Sequence, residues 1–502
     1  MHTPVRRALF LVAVAVAFVT LSACKSDKPV AFTYGVASGD VRPDAAVVWT
    51  RADRTSTLTA EVATDQAFAN VAAKQEAEAT DNGDFTAKAE ITGLEPGTQY
   101  YYRFRHGDDM SKTGSFRTAP AEETSAAVRF VFSGDTDGTV GKDGSRTFDF
   151  KVLDAARAED AEFFLYFGDA IYADSPYGPK AETLDAYRAK YKENRAIDRL
   201  REILASTSIY TVWDDHEVEN DFAGTIVDPN LLAAGRQAFR EYMPLSGDAS
   251  PDVLYRRYRW GSAVDVIMLD ERSFRDLSVE EACTPAGADG PDLLPGLGSE
   301  KTPAPFRSFR TFIGLPEQTD QACLDALNDP ARTMLGAEQK QFLLDALQNS
   351  DATFKFIVNP VPISELIALP YDRWEGYRAE RDEILRFIGD NDIKNVVFLT
   401  TDFHANIISD VRLNLATQPV AVEAVAGPIA HNTLGQDIAE QQGKDAIPAF
   451  EALLQQVPRA ECVHLDAFAY GLVEVDPTAG TTTITLKDED GNKLCQKVIR
   501  AS

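Results

Sequence analysis

Residues 208–222 read SIYTVWDDHEVENDF, an apolar run followed at once by a dense group of charged side chains. The first six residues are typical of the end of a buried β-strand. Directly after them come Asp214, Asp215 and His216, with more acidic residues beyond. Crowded like charges at a buried strand end cost free energy through repulsion and desolvation. The stretch therefore predicts a positively charged partner, such as a metal ion, at this strand tip.

The same arrangement recurs along the chain from residue 128 onward. Residues with helical periodicity lie between the apolar runs, for example at 147–160 and 336–350. Hydrophobic strands that alternate with helices predict an α/β fold with both faces of the sheet covered. In such sheets, ligands collect at the carboxyl ends of the strands. The further runs that end in polar residues are VRFVFSGDTDG (128–138), FFLYFGDAIYAD (163–174), VDVIMLDER (264–272), FKFIVNPVP (354–362) and NVVFLTTDFHAN (395–406).

Four of these strand ends carry side chains that could bind metal. Carboxylate and amide oxygens suit Ca, Mg or Mn, whereas imidazole nitrogen and phenolate favour Fe or Zn, so the mixture predicts more than one ion. Two metals that share a carboxylate about 3.5–4 Å apart can stabilise both the attacking and the leaving oxygen of a phosphoryl transfer. The donors are Asp135, Asp137, Asp169, Tyr172, Asp214 to His216, Asn220, Asp402 and His404.

The composition narrows the class of partner. The chain has 502 residues and a formal net charge of -28. This charge excludes a nucleic-acid-binding surface, because phosphate-backbone binding needs clustered Lys and Arg. It leaves metal binding open, since acidic side chains are ligands for hard cations. We therefore expect small molecules rather than nucleic acids as substrates.

The first 24 residues have the features of a targeting segment. Arg6 and Arg7 precede an apolar run from Ala8 to Leu21, and the motif LSAC ends at Cys24. A short apolar region after basic residues predicts a signal peptide, and the LSAC motif resembles a bacterial lipobox whose cysteine is lipidated. We expect an exported lipoprotein of the cell envelope, anchored to a membrane through Cys24. The Arg pair leaves export through the twin-arginine route open.

Four cysteines remain in the mature chain, and an even number in an exported protein predicts two disulfides. Three pairings are possible. We favour Cys283 with Cys323 and Cys462 with Cys495, because each of these pairs closes a local loop in a different region. A thiolate metal site is the weaker interpretation, since the spacing CxxC does not occur.

Residues 30–120 have a different pattern from the rest of the chain. Short alternating runs such as AAVVWT and LTAEVAT are separated by the turn signals DNGD and EPGTQ. This pattern predicts an N-terminal β-sandwich domain of about seven strands. The polar segment APAEETS (119–125) follows, and we expect the α/β domain to occupy residues 126–500.

Several of these stretches occur together in one known family. The ordered blocks GDTDG (134–138), GDAIYAD (168–174), WDDHEVEND (213–221) and TTDFHAN (400–406) resemble those of the calcineurin-like metallophosphoesterases, and specifically of the alkaline phosphatase D (PhoD) family. FTYGVASGDVRPDAAVVWTR (32–51), RTMLGAEQKQFLLDAL (332–347) and DRWEGYRAER (372–381) support the resemblance. It extends over nearly the whole mature chain.

The resemblance implies a four-layer αββα metallophosphoesterase domain after the N-terminal β-sandwich, with iron and calcium as cofactors. It implies that Asp169 is the bridging carboxylate and Tyr172 a phenolate ligand of the iron. Asp402 and His404 would also bind the metals, and Asp215 or Asn220 would bind calcium. His216 would be the catalytic residue that donates a proton to the leaving alkoxide.

The first block departs from the family pattern. Asp135 occupies the position where the family has a cysteine ligand. Carboxylate is a harder ligand than thiolate, so Mn, Mg or Zn become possible at this site. Asp137, Arg236 and Arg272 are weaker candidates for substrate binding, and His431 is a weaker candidate for facing the pocket. For the two arginines, surface ion pairing is an equally good interpretation. The structural alternative for Asp135 and Asp137 is that they cap a helix beginning near residue 145 or hold a Gly-rich turn.

The combined prediction is an exported, lipid-anchored alkaline phosphatase or phosphodiesterase that uses metal-activated water on small phosphate esters. One alternative is a phosphodiesterase acting mainly on phospholipids or wall polymers, which a membrane anchor favours. Another is a lipoprotein that binds phosphate or calcium without catalysis. The sequence leaves the oligomeric state open.

Overall fold

The described residues cover most of the mature chain. The structure, a computed structural model, describes residues 28–502 apart from 248–249, 251, 286–289, 293, 296–309, 312–314, 367–369, 415–416 and 457–459. The predicted signal segment 1–24 and the lipidation site Cys24 lie outside the described residues. Within the described ranges, no helix is both long enough and apolar enough to cross a membrane.

Strands and helices alternate through the central part of the chain, as the sequence predicts. The strands of the first half are β1 (Val36–Gly39), β2 (Ala45–Arg51), β3 (Ser56–Ala63), β4 (Val71–Ala79), β5 (Thr86–Thr92), β6 (Gln99–His106), β7 (Asp109–Met110), β8 (Gly114–Arg117), β9 (Val128–Ser133), β10 (Phe163–Tyr166) and β11 (Ser208–Tyr210). Those of the second half are β12 (Arg256–Trp260), β13 (Val264–Met268), β14 (Phe354–Val358), β15 (Val396–Thr400), β16 (Asn406–Arg412), β17 (Pro419–Val425), β18 (Cys462–His464), β19 (Ala469–Asp476), β20 (Thr481–Asp488) and β21 (Lys493–Arg500).

The helices lie mainly between the strands of the two large sheets. They are α1 (Val152–Ala158), α2 (Leu184–Arg195), α3 (Asp198–Ser206), α4 (Pro229–Tyr242), α5 (Gln321–Leu327), α6 (Gly336–Gln348), α7 (Arg378–Asp390), α8 (Leu434–Gln442) and α9 (Ile447–Gln456). Side chains cap the starts of some of these helices. The Thr183 side chain accepts a hydrogen bond from Ala186 N at the start of α2, and Asp228 caps α4 ahead of Pro229.

Two large mixed sheets form the centre of the molecule. In the described residues, one has nine strands in the order β21-β20-β19-β9-β10-β11-β1-β2-β5, and the other has seven in the order β12-β13-β14-β15-β17-β16-β18. Strands β9, β10 and β11 run parallel in the first sheet, and β13, β14, β15 and β17 run parallel in the second. The carboxyl ends of each parallel set therefore open at one edge of their sheet.

The two sheets pack face to face through aromatic side chains. Phe130 of β9 stacks on Phe163 of β10 with ring centroids 4.7 Å apart, and its edge meets Phe356 of β14 at 5.1 Å. Phe163 also lies 4.7 Å from Trp260 of β12. These four rings are fully or almost fully buried. The interface between the sheets is therefore the largest part of the hydrophobic core.

Helices cover the outer face of each sheet. Leu343 of α6 and Ile384 of α7 pack with Ile357 and Phe398 on the outer side of the seven-stranded sheet. On the nine-stranded sheet, α3 contacts β1 and β11, and α1 contacts β19. The continuous apolar strands that the sequence shows are explained by this burial on both faces. The α/β prediction is confirmed.

The N-terminal strands divide between two sheets. Strands β3, β4, β6, β7 and β8 form a separate five-stranded sheet, whereas β1, β2 and β5 extend the nine-stranded sheet beyond β11. The junction is the parallel pair of β1 with β11, where Gly39 pairs with Ile209. Alternating hydrophobicity marks a strand but does not reveal which sheet it joins. The nine-stranded sheet thus contains strands from both sides of the predicted domain boundary near residue 120. The separate β-sandwich domain stays a prediction.

Both favoured disulfides are present. Cys283 pairs with Cys323, with Cα atoms 4.5 Å apart, and Cys462 pairs with Cys495, with Cα atoms 6.0 Å apart. The second disulfide connects β18 of the seven-stranded sheet to β21 of the nine-stranded sheet. The prediction of local pairing is confirmed.

The aromatic contact between the sheets can be tested by truncating Phe130. Phe130→Ala should lower the free energy of unfolding by about 3–5 kcal/mol, because it removes a buried ring and leaves a cavity. Urea unfolding followed by tryptophan fluorescence measures the change. Phe450 is 40% exposed on α9, so Phe450→Ala is the matched control and should change stability by less than about 1 kcal/mol. Equal effects of the two substitutions would contradict this assignment of the core.

Candidate metal centre

The candidate metal centre lies where the parallel strands of both sheets end. Asp135 follows β9, Asp169 follows β10, and Asp214 and Asp215 follow β11. From the seven-stranded sheet, Arg272 follows β13 and the pair Asp402 and His404 follows β15. The sequence predicted these residues at strand ends, and the two sheets bring them together at their shared edge.

Backbone contacts hold the strand tips in place. Ile429 N donates to Gly134 O at 2.9 Å, and Asp402 N donates to Asp135 Oδ1 at 3.3 Å. A Cβ at Gly134 would lie 2.0 Å from Phe167 O, so only glycine permits this approach of β9 to β10. Asp135 and Asp402 have φ angles of 60° and 55°, in the left-handed region. Strained backbone of this kind persists where surrounding contacts fix it, commonly at functional sites.

The side chains form overlapping groups of ligand atoms. Oxygen or nitrogen atoms of Asp135, Asp169 and His404 all lie within 4.8 Å of one another, and so do those of Asp169, Asp215 and His216. Asp169 therefore belongs to two adjoining groups. Two further groups extend the array: Asp214, Asp215 and Asp402, and Asp215, Asp221 and Asp372.

The buried carboxylates are costly as anions. Burial, and next the charges of Asp215 and Glu217, raise the pKa of Asp169 well above its usual range. Burial and the charge of Asp214 do the same to the pKa of Asp135. Oδ2 of Asp135 is buried without a hydrogen-bond partner among the described residues. A cation between these oxygens would satisfy them and favour their ionised forms.

His216 is held by a carboxylate outside the donor groups. Its Nδ1 lies 2.5 Å from Asp174 Oδ1, and its backbone N–H donates to Asp169 Oδ1 at 3.1 Å. Burial opposes protonation, but the charge of Asp215 and the hydrogen bond to Asp174 outweigh it and raise the pKa of His216 to about 9. The imidazole is thus oriented and able to carry a proton at neutral pH.

His404 and its neighbours form an aromatic cluster beside Asp135. The Tyr172 hydroxyl lies 3.0 Å from His404 Nε2, and His431 Nδ1 lies 3.3 Å from His404 Nδ1. Burial lowers the pKa of His404 to about 3, which keeps the imidazole neutral, the form that binds metal. Burial, and next the charge of Asp169, raise the pKa of Tyr172 well above its usual value. A phenolate at Tyr172 would therefore require a cation beside it.

Arg272 lies among the carboxylates of the site. Its buried guanidinium bonds to both oxygens of Asp214 and donates to Asp372 Oδ1 at 2.7 Å. The same side chain lies 3.5 Å from Asp402 and 3.8 Å from Asp215. Its donors are directed at carboxylates, so it acts as their counter-ion, and substrate-phosphate binding by Arg272 stays a prediction.

Asp137 and Arg236, the two other predicted substrate contacts, bond to protein groups in the structure. Asp137 accepts a hydrogen bond from Thr139 N at 2.9 Å and from Ser175 Oγ at 2.6 Å, so both of its oxygens hold loops in place. Arg236 pairs with Asp252 at 2.5 Å and lies over the ring of Trp213 on the α4 side. Substrate binding by either residue stays a prediction.

Asn220 lies next to the acidic array. Its side chain donates to Asp221 Oδ2 at 2.8 Å, and Asp221 is the residue that groups with Asp215 and Asp372. The acidic run after residue 214 predicted a ligand here, but a run of consecutive polar residues does not reveal which of them points inward. Calcium binding by Asn220 remains a prediction.

Several residues of the site were missed in the sequence. Asp372 begins the block DRWEGYRAER, which supported the family resemblance, and Arg275 lies just after the strand end VDVIMLDER. The two residues form an ion pair of 2.5 Å in the structure. Asp174 ends the block GDAIYAD and positions His216. The spacing of residues along the chain did not show that Asp372 pairs with Arg275 or that Asp174 bonds to His216. The recognised blocks and strand ends were the only sequence features that could have drawn attention to these residues.

The role of Arg272 can be tested by removing its charge. Arg272→Met leaves Asp214 and Asp372 without their buried counter-ion, and breaking such a pair costs about 3–5 kcal/mol. Urea unfolding of the metal-free protein should show this loss. Arg236→Met is the matched control and should cost less than about 1 kcal/mol, since the carboxylate partner of Arg236 is exposed. Unchanged stability with weakened substrate binding in Arg272→Met would instead support the phosphate-binding role.

Sequence comparisons place the chain among phosphatases. The profile of PhoD-like phosphatase matches residues 143–485, and that of PhoD-like phosphatase, N-terminal domain, matches residues 19–120. Alkaline phosphatase D from Bacillus subtilis (strain 168) is 29% identical over 430 residues, which are 76% of this chain and 66% of that protein. Purple acid phosphatase 21 from Arabidopsis thaliana is 32% identical over 132 residues, 26% of this chain and 24% of that protein. The matches span less than two thirds of each relative.

Solved structures share the fold. A structure of PhoD has a TM-score of 0.72 at 23% identity and covers 94% of this chain and 92% of that chain. The purple acid phosphatase from yellow lupin (Lupinus luteus) seeds has a TM-score of 0.58 at 12% identity, with 94% and 74% covered. At these identities the structural matches show the fold alone. The catalytic-domain profile spans more than half of the sequence, and on that ground the chain belongs to the PhoD-like phosphatase family.

Proposed function

We propose that this protein is a metal-dependent phosphoric ester hydrolase of the alkaline phosphatase D type. The observation that carries the proposal is the position of Asp169, whose carboxylate lies within 4.8 Å of ligand atoms of Asp135 and His404 on one side and of Asp215 on the other. A carboxylate between two groups can bridge two cations. Membership of the family and the buried carboxylates support the same conclusion.

The donor set fits a pair of metal ions. Asp135 offers a buried oxygen without a protein partner, and a Cβ at Gly427 would lie 2.7 Å from that oxygen. We infer that Asp135, Asp169, Tyr172 and His404 would hold one ion of a pair, and that Asp215, Asp402 and the carboxylates grouped with them would hold the other. Nitrogen and phenol donors favour iron on the first side, and the all-oxygen set favours calcium on the second. Because Asp135 replaces a cysteine of the family pattern, Mn, Mg or Zn remain alternatives at the first position.

The reaction that this arrangement supports is hydrolysis by water. Bound cations of this kind lower the pKa of water and neutralise charge on phosphoryl oxygens. Asp174 fixes Nδ1 of His216, which leaves Nε2 as the nitrogen available to an ester. The protonated imidazole could then donate its proton to the departing alkoxide. The charge of Arg272 favours the ionised forms of Asp214 and Asp372.

We further propose the finer features of architecture and location. The face-to-face sheets with outer helices support a four-layer αββα domain, and the five-stranded sheet of the N-terminal region supports an attached β-sandwich. Export and lipidation at Cys24 stay proposals from the sequence, and the two disulfides are compatible with an oxidising compartment. The substrates are small phosphate esters, and the relative rates on p-nitrophenyl phosphate and its bis ester would establish the preference between monoesters and diesters.

Substitutions at the site should separate metal binding from proton transfer. Asp169→Ala and His404→Ala should abolish phosphatase activity and lower the bound metal, because each removes a ligand. His216→Ala should lower kcat by about 10²–10⁴-fold and keep the metal, as expected for a lost general acid. Activity on p-nitrophenyl phosphate and elemental analysis measure both effects. Asp185→Asn alters a carboxylate that is 93% exposed and should change neither quantity. Normal turnover by metal-depleted Asp169→Ala would refute the proposal.

Metal removal should also change stability. Ions that bind only the folded state stabilise it, so chelation should lower the Tm of the wild-type protein. The Tm of Asp169→Ala should respond much less to the chelator, because this variant already binds the two metal ions poorly. Calorimetric scans with and without chelator compare the two proteins. An identical response of both proteins would indicate that the stabilising ions bind elsewhere.

A further inference from the structure

A continuous series of aromatic rings leads outward from the metal-binding groups. The ring centroids of His216 and Tyr172 are 4.3 Å apart. Tyr172 stacks on His431 at 4.2 Å with an interplanar angle of 11°, and His431 lies 5.9 Å from Phe148 at 30°. The series begins at the residue proposed to protonate the leaving group. The rings therefore connect the metal-binding groups to the surface region around Phe148.

Three phenyl-type rings stand at the outer end of this series. Phe148 meets Tyr177 at 5.7 Å and 80°, and Phe468 at 6.3 Å and 65°. We call Phe148, Tyr177 and Phe468 the outer aromatic cluster. All three are partly exposed, whereas Tyr172 is buried. The cluster thus presents apolar ring surface to solvent, next to a site that is otherwise strongly polar.

Local contacts hold Phe148 in its position. Its loop is closed by a bridge between Val140 and Arg146, and Arg146 Nε donates to Gly138 O at 3.2 Å. The hydrogen bond from Ser175 to Asp137, of 2.6 Å, joins this loop to the one that carries Tyr172 and Tyr177. The ring is therefore pre-organised, which lowers the entropic cost of binding a ligand against it.

We propose that the outer aromatic cluster binds the alcohol part of the substrate and selects phosphate esters of aromatic alcohols. The inference rests on the proposed function, because it requires the phosphoryl group to lie at Asp169 and its neighbours. An aryl group against the exposed surface of the outer aromatic cluster would make ring contacts and bury apolar surface. A small polar alcohol would gain neither contribution. The competing explanation, that the rings only pack beneath the loop, predicts an effect on stability without any effect on selectivity.

Binding of non-hydrolysable ligands tests the inference without turnover. Calorimetric titration of the protein, as isolated with its metal, would compare benzylphosphonate with methylphosphonate. Phe148→Ala and Phe468→Ala should each weaken benzylphosphonate binding by up to about tenfold, in line with the loss of an aromatic pair and its buried area. Methylphosphonate binding should be unchanged. Phe148→Tyr retains the ring and should restore the aryl preference, and Phe450→Ala, at an exposed phenylalanine on α9, should behave as wild type.

The two proposals fail in different ways. Equal effects on both phosphonates, or no effect on either, would overturn the role of the aromatic cluster even if the enzyme is active. Selective benzylphosphonate binding by a protein that hydrolyses no phosphate ester would instead overturn the proposed function. Rates provide a second measurement: kcat/KM for 2-naphthyl phosphate should fall in Phe148→Ala, whereas kcat/KM for glycerol 3-phosphate should not. Circular dichroism would verify that both variants fold.

Discussion

The arrangement of the whole molecule depends on one electrostatic constraint, the convergence of several buried carboxylates at the tips of two facing sheets. Asp135, Asp169 and Asp215 come from one sheet and Asp402 from the other. Arg272, fully buried among them, bonds to Asp214 and Asp372, whereas Oδ2 of Asp135 has no hydrogen-bond partner among the described residues. Such a group of anions is stable only with protons or cations. The site can be understood as a structure built to hold metal.

The fold serves this constraint by bringing distant parts of the chain to one edge. Aromatic packing between Phe130 and Phe356 fixes the two sheets against each other. Close approach at Gly134 and the left-handed conformations of Asp135 and Asp402 then turn their side chains into the gap. The positions of the ligands therefore depend on the core between the sheets as well as on the loops that carry them.

Much of this could be predicted from the sequence, because strand ends are marked by the abrupt change from apolar to polar residues. That change located Asp135, Asp169, Asp402 and His404. The two disulfides were predicted correctly because each closes a local loop. Contacts between residues far apart in the chain produce no comparable sequence pattern. The engagement of Arg272 by Asp214 and Asp372, the role of Asp137 as a link to Ser175, and the extension of the nine-stranded sheet by β1 all depend on tertiary contacts. Single residues within polar runs, such as Asn220 and Asp221, could not be ranked for the same reason.

Elemental analysis of the purified protein, combined with its phosphatase rate, tests the central claim most directly. The account predicts about two or more cations per chain, iron or a related transition metal together with calcium, and loss of activity in proportion to their removal. Full activity in a protein that retains less than one cation per chain would contradict it.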